Sequence, residues 1–252
     1  MKENVIYHDD CLNTMSQLET GVADLVLTDP PYGLCIGGNG RIGGNGRITE
    51  VKTYAPVKWD NMALTGEQWA EIQRVSKNQV VFGYNYMVDI LGKCRAIIVW
   101  DKKCRNDWED SFSDCEVAFT SFDGPARVYR HLWVGALRQS EQGANERIHP
   151  TQKPVALFSW IIERFTKRGD LVLDPFSGSG TTAIACWRTG RRFICIERDI
   201  QYHALSKERL SIEQQQGNLW PPPENKEETE NSAARDVPGL TAKQRAELRE
   251  AK

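Results

Sequence analysis

The sequence predicts an α/β fold, a seven-stranded, mostly parallel sheet with helices on both faces. Two observations lead there. Short apolar, β-branched runs alternate with segments whose apolar residues recur at helical spacing, and glycine- or proline-containing turns follow several of the runs directly. With 252 residues, 40% of them hydrophobic and 26% charged, the chain can fill one substantial core plus appendages.

In chain order, residues 4–7 and 24–28 are the first two strands. Thr65 followed by Gln68 makes a capping-box pattern ahead of Trp69, Ile72 and Val75, which predicts a helix. Strands follow at 79–82, 96–100 and 116–120. From Pro154 onward Leu157, Phe158, Ile161, Ile162 and Phe165 repeat at helical spacing, with Gly169 expected to close the segment. The strand at 171–173 leads through a glycine-rich turn into a helix over 181–189, with Gly190 as its stop. A strand at 192–196 and a helix over 202–215 complete the set.

Two segments fall outside this pattern. Residues 37–42 read GGNGRI and residues 43–48 repeat it, a duplication too short for a solenoid and too rich in glycine and asparagine to bury much, so a mobile loop is expected. Pro221, Pro222 and Pro223 then precede an acidic, polar stretch. Residues 217–252 are therefore expected to be a largely disordered tail behind a single domain over 1–216, since a helix as short as 241–252 is marginal alone.

A net charge of −2 announces no nucleic-acid partner, so any phosphate-binding surface must be local. Residues 33–58 carry Arg41, Arg47, Lys52 and Lys58 against Glu50, and residues 124–148 carry Arg127, Arg130, Arg138 and Arg147 against Glu141 and Glu146. The seven cysteines are scattered, with no close Cys-x-x-Cys pair, which argues against structural zinc and a disulfide framework. No apolar run approaches the roughly 18 residues that cross a bilayer, and residues 1–10 have neither a basic start nor an apolar signal core. The expected location is cytoplasmic.

Two motifs carry the chemistry. Asp29-Pro30-Pro31-Tyr32 directly follows an apolar strand, at the end where open α/β sheets bind ligands. An aspartate there can accept hydrogen bonds from an amino group, two prolines hold the backbone rigidly, and a tyrosine offers a flat face to a base. Taken alone, the motif reads equally well as a turn after a strand. The second motif, Asp174-Pro175-Phe176-Ser177-Gly178-Ser179-Gly180-Thr181-Thr182, follows a strand and opens a helix, and the next strand ends in Glu197. Such a turn admits a cofactor to the backbone, a helix N-terminus favours a carboxylate, and an acid at the next strand end suits ribose hydroxyls. A nicotinamide-binding fold is the rival. Its fingerprint wants a third glycine where Ala183 stands and does not use Asp-Pro-Phe, so a nucleoside bearing a carboxylate fits better than a pyrophosphate.

These two motifs, together with His149-Pro150-Thr151-Gln152-Lys153-Pro154, resemble the amino-group DNA methyltransferases that modify adenine N6 or cytosine N4. The order, with the Asp-Pro-Pro-Tyr motif first and the cofactor turn last, is similar to the beta class. The resemblance implies a circularly permuted Rossmann-like methyltransferase sheet, S-adenosylmethionine as cofactor, double-stranded DNA as partner, base flipping, and no metal; a homodimer is compatible with it. Carried over residue by residue, it implies that Asp29 and the Pro30 carbonyl hold the target amino group, with Pro31 stiffening the turn and Tyr32 stacking on the base. Phe176, Gly178, Gly180 and Thr181 would line the methionine portion, Glu197 the ribose, and Asp10 the adenine. Thr151 and Lys153 would approach the carboxylate, and Cys11, Asp174, Ser177 and Arg198 complete the expected cofactor set. Arg127, Arg130 and Arg138 are the expected DNA contacts in a short recognition segment near 121–148, with Tyr129 and Trp133 either stacking on DNA or filling core. Aspartate at position 29 leans toward adenine N6 over cytosine N4. A non-catalytic DNA- or cofactor-binding subunit of the same fold is the reading from a different class.

Overall fold

The computed structural model describes residues 1–33, 63–104, 113–134, 137–141, 149 and 151–217. The duplicated hexapeptide and the segment expected to be a tail lie outside the described residues, apart from Gly217 at a helix end. Met1–Gln215 forms one compact unit.

The strands are β1 (Val5–His8), β2 (Leu25–Thr28), β3 (Gln79–Phe82), β4 (Ile97–Asp101), β5 (Cys115–Thr120), β6 (Arg127–Arg130), β7 (Trp133–Val134), β8 (Leu137–Arg138), β9 (Leu171–Asp174) and β10 (Arg192–Glu197). The helices are α1 (Cys11–Ser16), α2 (Gly66–Val75), α3 (Val88–Leu91), α4 (Val155–Phe165), α5 (Thr181–Thr189) and α6 (Ile200–Gly217). One sheet runs β1-β10-β9-β2-β3-β5-β4-β6, and β7 and β8 pair separately as a hairpin. All pairs in the sheet are parallel except those made by β5, which is antiparallel to both β3 and β4.

All seven expected strands are present, and β6 adds an eighth at the edge. Its Arg-Val-Tyr-Arg sequence lacks an apolar run because an edge strand buries only part of its surface, so the pattern that marks inner strands was missing. The helix from Pro154 ends at Phe165, with Thr166 as its C-cap, short of Gly169, which turns with φ +84° in the loop before β9.

Strand alternation builds two cores. Leu25, Leu27, Val80, Phe82, Ile98 and Trp100 pack with α4, α5 and Leu210 of α6 on one face. Val26, Val81, Phe119, Leu173 and Ile196 pack with Met15 of α1, Trp69 and Ile72 of α2, and Leu91 of α3 on the other. Each such buried side chain contributes roughly 1.5–3 kcal/mol. Local signals fix the helix ends: Thr65 and Gln68 complete their capping box, and Gly190 closes α5 in the left-handed conformation.

This order sets the site. From β9 the chain moves through α5 to β10 on one side, while from β2 it moves through α2 to β3 on the other. The adjacent strands β2 and β9 therefore flank a switch point, with a crevice outside their C-terminal ends. Both chemical motifs begin there.

Candidate active site

A cavity of about 460 Å³ opens at this crevice, within the range of small-molecule sites. Every residue expected in the catalytic and cofactor sets lines it except Gly180. Gly180 is required for another reason. Its φ is +74°, and a Cβ there would lie 3.0 Å from Ser206 Cβ on α6, so it serves the packing of the turn rather than the cavity wall.

On the cofactor-turn side, Glu197 at the end of β10 accepts Gly178 N–H on Oε2 and Asp199 N–H on Oε1, both at 2.7 Å. Each carboxylate oxygen offers about two acceptor sites, so Glu197 keeps capacity for hydroxyl groups. Burial raises its pKa against those two bonds. Asp10 caps α1 through a 2.9 Å bond from Leu12 N–H and lines the cavity beside Cys11. His149 stacks edge-on against Tyr202 and covers Gly178, and its Nδ1 meets Thr151 Oγ1 at 3.0 Å.

Asp174 serves the frame. Its Oδ1 accepts Thr28 Oγ1 at 2.7 Å and Phe176 N–H at 3.1 Å, and its Oδ2 accepts the Thr182 hydroxyl. Burial pushes its pKa up to about 6 in spite of these donors.

On the other side of the switch point, the Tyr32 hydroxyl donates to Asp29 Oδ1 and the Lys153 ammonium donates to Asp29 Oδ2. The Tyr32 ring lies over Gly83, where a Cβ would come within 2.1 Å of the ring, and stacks on the ring of Tyr86 at 5.1 Å between centroids. Lys153 also meets Glu116 Oε2 at 3.0 Å. Its ammonium thus sits among carboxylates on the Asp-Pro-Pro-Tyr side, while its backbone carbonyl accepts the Thr181 hydroxyl of the cofactor turn at 3.2 Å. A buried ammonium takes the place where counter-charge is available, and Asp29 and Glu116 supply it.

The arginines expected at DNA divide by position. Arg130 ends β6 next to Asp101, whose Oδ2 is 3.5 Å from its Nε, and Arg138 lies over the Trp133 ring in the hairpin. Arg127 begins β6, paired with Ile98 near the start of β4, about 10 Å down the strand. It lies toward the opposite edge of the sheet from the crevice. Tyr129 packs on Trp160 and Trp133 is buried, so both aromatics belong to the core.

Sequence reasoning missed Glu116, Glu141 and Arg209. Glu141, at φ +57°, accepts Val155 N–H at 2.6 Å to cap α4 and pairs with Arg209 at 2.6 Å. Arg209 in turn donates to the Ser179 carbonyl at 3.0 Å, beneath the cofactor turn. Only Glu116 carried a signal, an acid in the otherwise mostly apolar β5; Glu141 lies outside any helix or strand and Arg209 in a helix rich in polar residues. Among the described residues no group of three or more acids, histidines or cysteines could hold a metal ion, and no helix is long and apolar enough to cross a membrane.

A doubly wound sheet with a nucleoside-type turn on one side of its switch point and a rigid Asp-Pro-Pro-Tyr on the other defines a Rossmann-like methyltransferase. Comparison with known proteins narrows this. Residues 99–208 match the profile of the DNA methylase family. The type II methyltransferase M2.DpnII of Streptococcus pneumoniae is 29% identical over 83% of this chain and 90% of its own. The type II methyltransferase M2.MboI of Moraxella bovis is 30% identical over 81% and 86%. The complex of M1.HpyAVI with S-adenosylmethionine superimposes with a TM-score of 0.51 at 26% identity, covering 81% of this chain and 98% of that one. The chain belongs to the DNA methylase family, enzymes that transfer the methyl group of S-adenosylmethionine to exocyclic amino groups of DNA bases.

Proposed function

We propose that the protein methylates N6 of adenine within a specific duplex sequence, flipping the target base into the cavity. The observation that carries this reading is the placement of Asp29, at the C-terminal end of β2, in the same cavity as the Gly178 turn and Glu197. S-adenosylmethionine supplies a methyl group already activated on sulfur, so the protein's work is alignment. The residues fit that cofactor. Glu197 has acceptor capacity for the ribose, the start of α5 at Thr181 suits a carboxylate, and Asp9, Asp10 and Glu197 surround the cavity with charge that favours a cation.

Asp29 and the Pro30 carbonyl accept the two hydrogens of the target amino group and turn its lone pair toward the methyl carbon. Pro31 keeps that carbonyl fixed. Flipping costs a few kcal/mol of unstacking, and the Tyr32 ring returns roughly 1–3 kcal/mol by stacking. Arg130 holds a phosphate near the C-terminal edge of the sheet, whereas the guanidinium of Arg138 lies over Trp133 with its Nε and Nη1 buried.

Expression in a host lacking DNA methylation, followed by single-molecule sequencing of its genome, tests this, with Asp29→Ala as control. Methylated adenine in one short context, absent with Asp29→Ala, is the expected result. Methylated cytosine, or an unmodified genome from well-expressed folded protein, overturns it.

A further inference from the structure

Beneath Asp29 lies a chain of four charges alternating in sign, only half of it from the sequence motifs. Lys102 Nζ meets Glu116 Oε1 at 3.0 Å, Glu116 Oε2 meets Lys153 Nζ at 3.0 Å, and Lys153 donates to Asp29. The four side chains are 5–22% exposed. Because β5 runs against its neighbours, its beginning lies at the sheet edge where β2 and β3 end, which brings Glu116 to the site.

Both oxygens of Asp29 are engaged, Oδ1 by the Tyr32 hydroxyl and Oδ2 by Lys153. An arriving amino group must displace or share one of these donors. Displacing a buried ammonium from its sole partner costs several kcal/mol. Glu116 changes this, because it already holds Lys153 from the other side.

We propose that Glu116 is a positioning residue for methyl transfer: it keeps the Lys153 ammonium paired while Asp29 exchanges Lys153 for the amino group of the target base. This rests on the reading of Asp29 as acceptor of that amino group. Lys153 and, after it, Lys102 hold the Glu116 carboxyl down to about 2 against burial. Without Glu116, Lys153 would close on Asp29 alone, and the acceptor would be harder to open.

The test uses the full chain with radiolabelled S-adenosylmethionine and unmethylated duplex DNA, comparing Glu116→Gln, Glu116→Asp and Asp29→Ala. For Glu116→Gln, kcat should fall about tenfold or more with S-adenosylmethionine affinity within about twofold, and Glu116→Asp should recover part of the loss. The charged and titratable groups facing Asp29 are Lys153, Glu116, Tyr32 and Asp174. Removing the Glu116 charge leaves Lys153 dominant, so the acid limb of the kcat–pH profile should move to lower pH. A fall in kcat with an unmoved limb reflects packing alone and overturns the proposal, as does a wild-type rate. Should Glu116→Gln not fold, the double variant Glu116→Gln/Lys102→Met, which strands no lysine, takes its place, and a wild-type rate or an unmoved limb there overturns the proposal equally. Activity in Asp29→Ala would instead overturn the reading of Asp29 on which it rests.

Discussion

The Thr28 hydroxyl donates to the Asp174 carboxylate at 2.7 Å, across the boundary between β2 and β9. The strand that presents Asp29 is thereby pinned to the strand that opens the cofactor turn, at the point where the two halves of the sheet diverge. Asp174 makes this bond while buried, with its pKa raised from 3.8 to about 6. Between those values the unfolded chain has released the proton and the folded chain retains it. Stability therefore falls as pH rises from about 4 to about 6 and is level above, by about 3 kcal/mol from this group. Asp174→Asn should remove that slope. Urea unfolding of both proteins between pH 4 and pH 7 reads it, and parallel pH curves would show that Asp174 does not titrate in this window.

Glu197 is held by two backbone N–H groups, so its orientation does not depend on a ligand. Glu197→Gln keeps the shape but replaces one acceptor oxygen by a donor facing Gly178 or Asp199. S-adenosylmethionine affinity, by calorimetry, should fall at least tenfold, about 1.4 kcal/mol, while DNA affinity changes little. Unchanged cofactor affinity would remove Glu197 from the cofactor site.

Gly83 is where the Tyr32 ring rests. A Cβ there would lie 2.1 Å from Tyr32 Cε1, and the φ of +78° costs a non-glycine residue about 1–2 kcal/mol. Gly83→Ala should push the tyrosine off Asp29, lowering the melting temperature a few degrees and kcat by tenfold or more, with cofactor affinity within a few-fold. Wild-type turnover would mean that the ring position seen here is not needed for catalysis.

How far the sequence revealed these features depended on the distance between partners. The capping box of Thr65 and Gln68 and the stop at Gly190 were legible because donor and acceptor lie within one or two turns. The inner strands β2, β3 and β9 were legible because both faces are buried and each carries a run of three apolar residues. Lys153 and Asp29 lie 124 residues apart and Arg209 and Glu141 lie 68 apart, so nothing in the local pattern of either residue names its partner. The family resemblance brings Lys153 to the cavity, which it lines, but does not name Asp29 and Glu116 as the partners of its ammonium. The counter-charge that holds it, Glu116, comes from an antiparallel strand outside every motif.

Glu141 and Arg209 form a buried pair, 5% and 8% exposed, that ties the end of the hairpin segment to α4 and the cofactor turn. Glu141→Ala leaves the guanidinium without its carboxylate and should cost about 3–5 kcal/mol. Adding Arg209→Met removes the stranded charge and should restore most of that loss. Chemical denaturation of the two single variants and the double closes the cycle, and additive losses would mean that the two residues act separately.

Arg130 and Arg127 bracket one short strand and make opposite predictions. Arg130 lies at the end of β6 that points with the C-terminal ends of β2 and β9, and it is 55% exposed on its side chain. Arg127 begins the strand, beside Phe165 and Arg164, away from the crevice. A phosphate contact contributes about one counterion to the salt dependence of DNA binding. Arg130→Ala should therefore reduce the slope of log K against log salt by about 0.9 and weaken binding to all sequences alike. Arg127→Ala should leave the slope as it is. Equal reductions from both would place DNA across the whole edge strand rather than along the rim of the sheet, and the recognition surface would then have to include the lower half of β6.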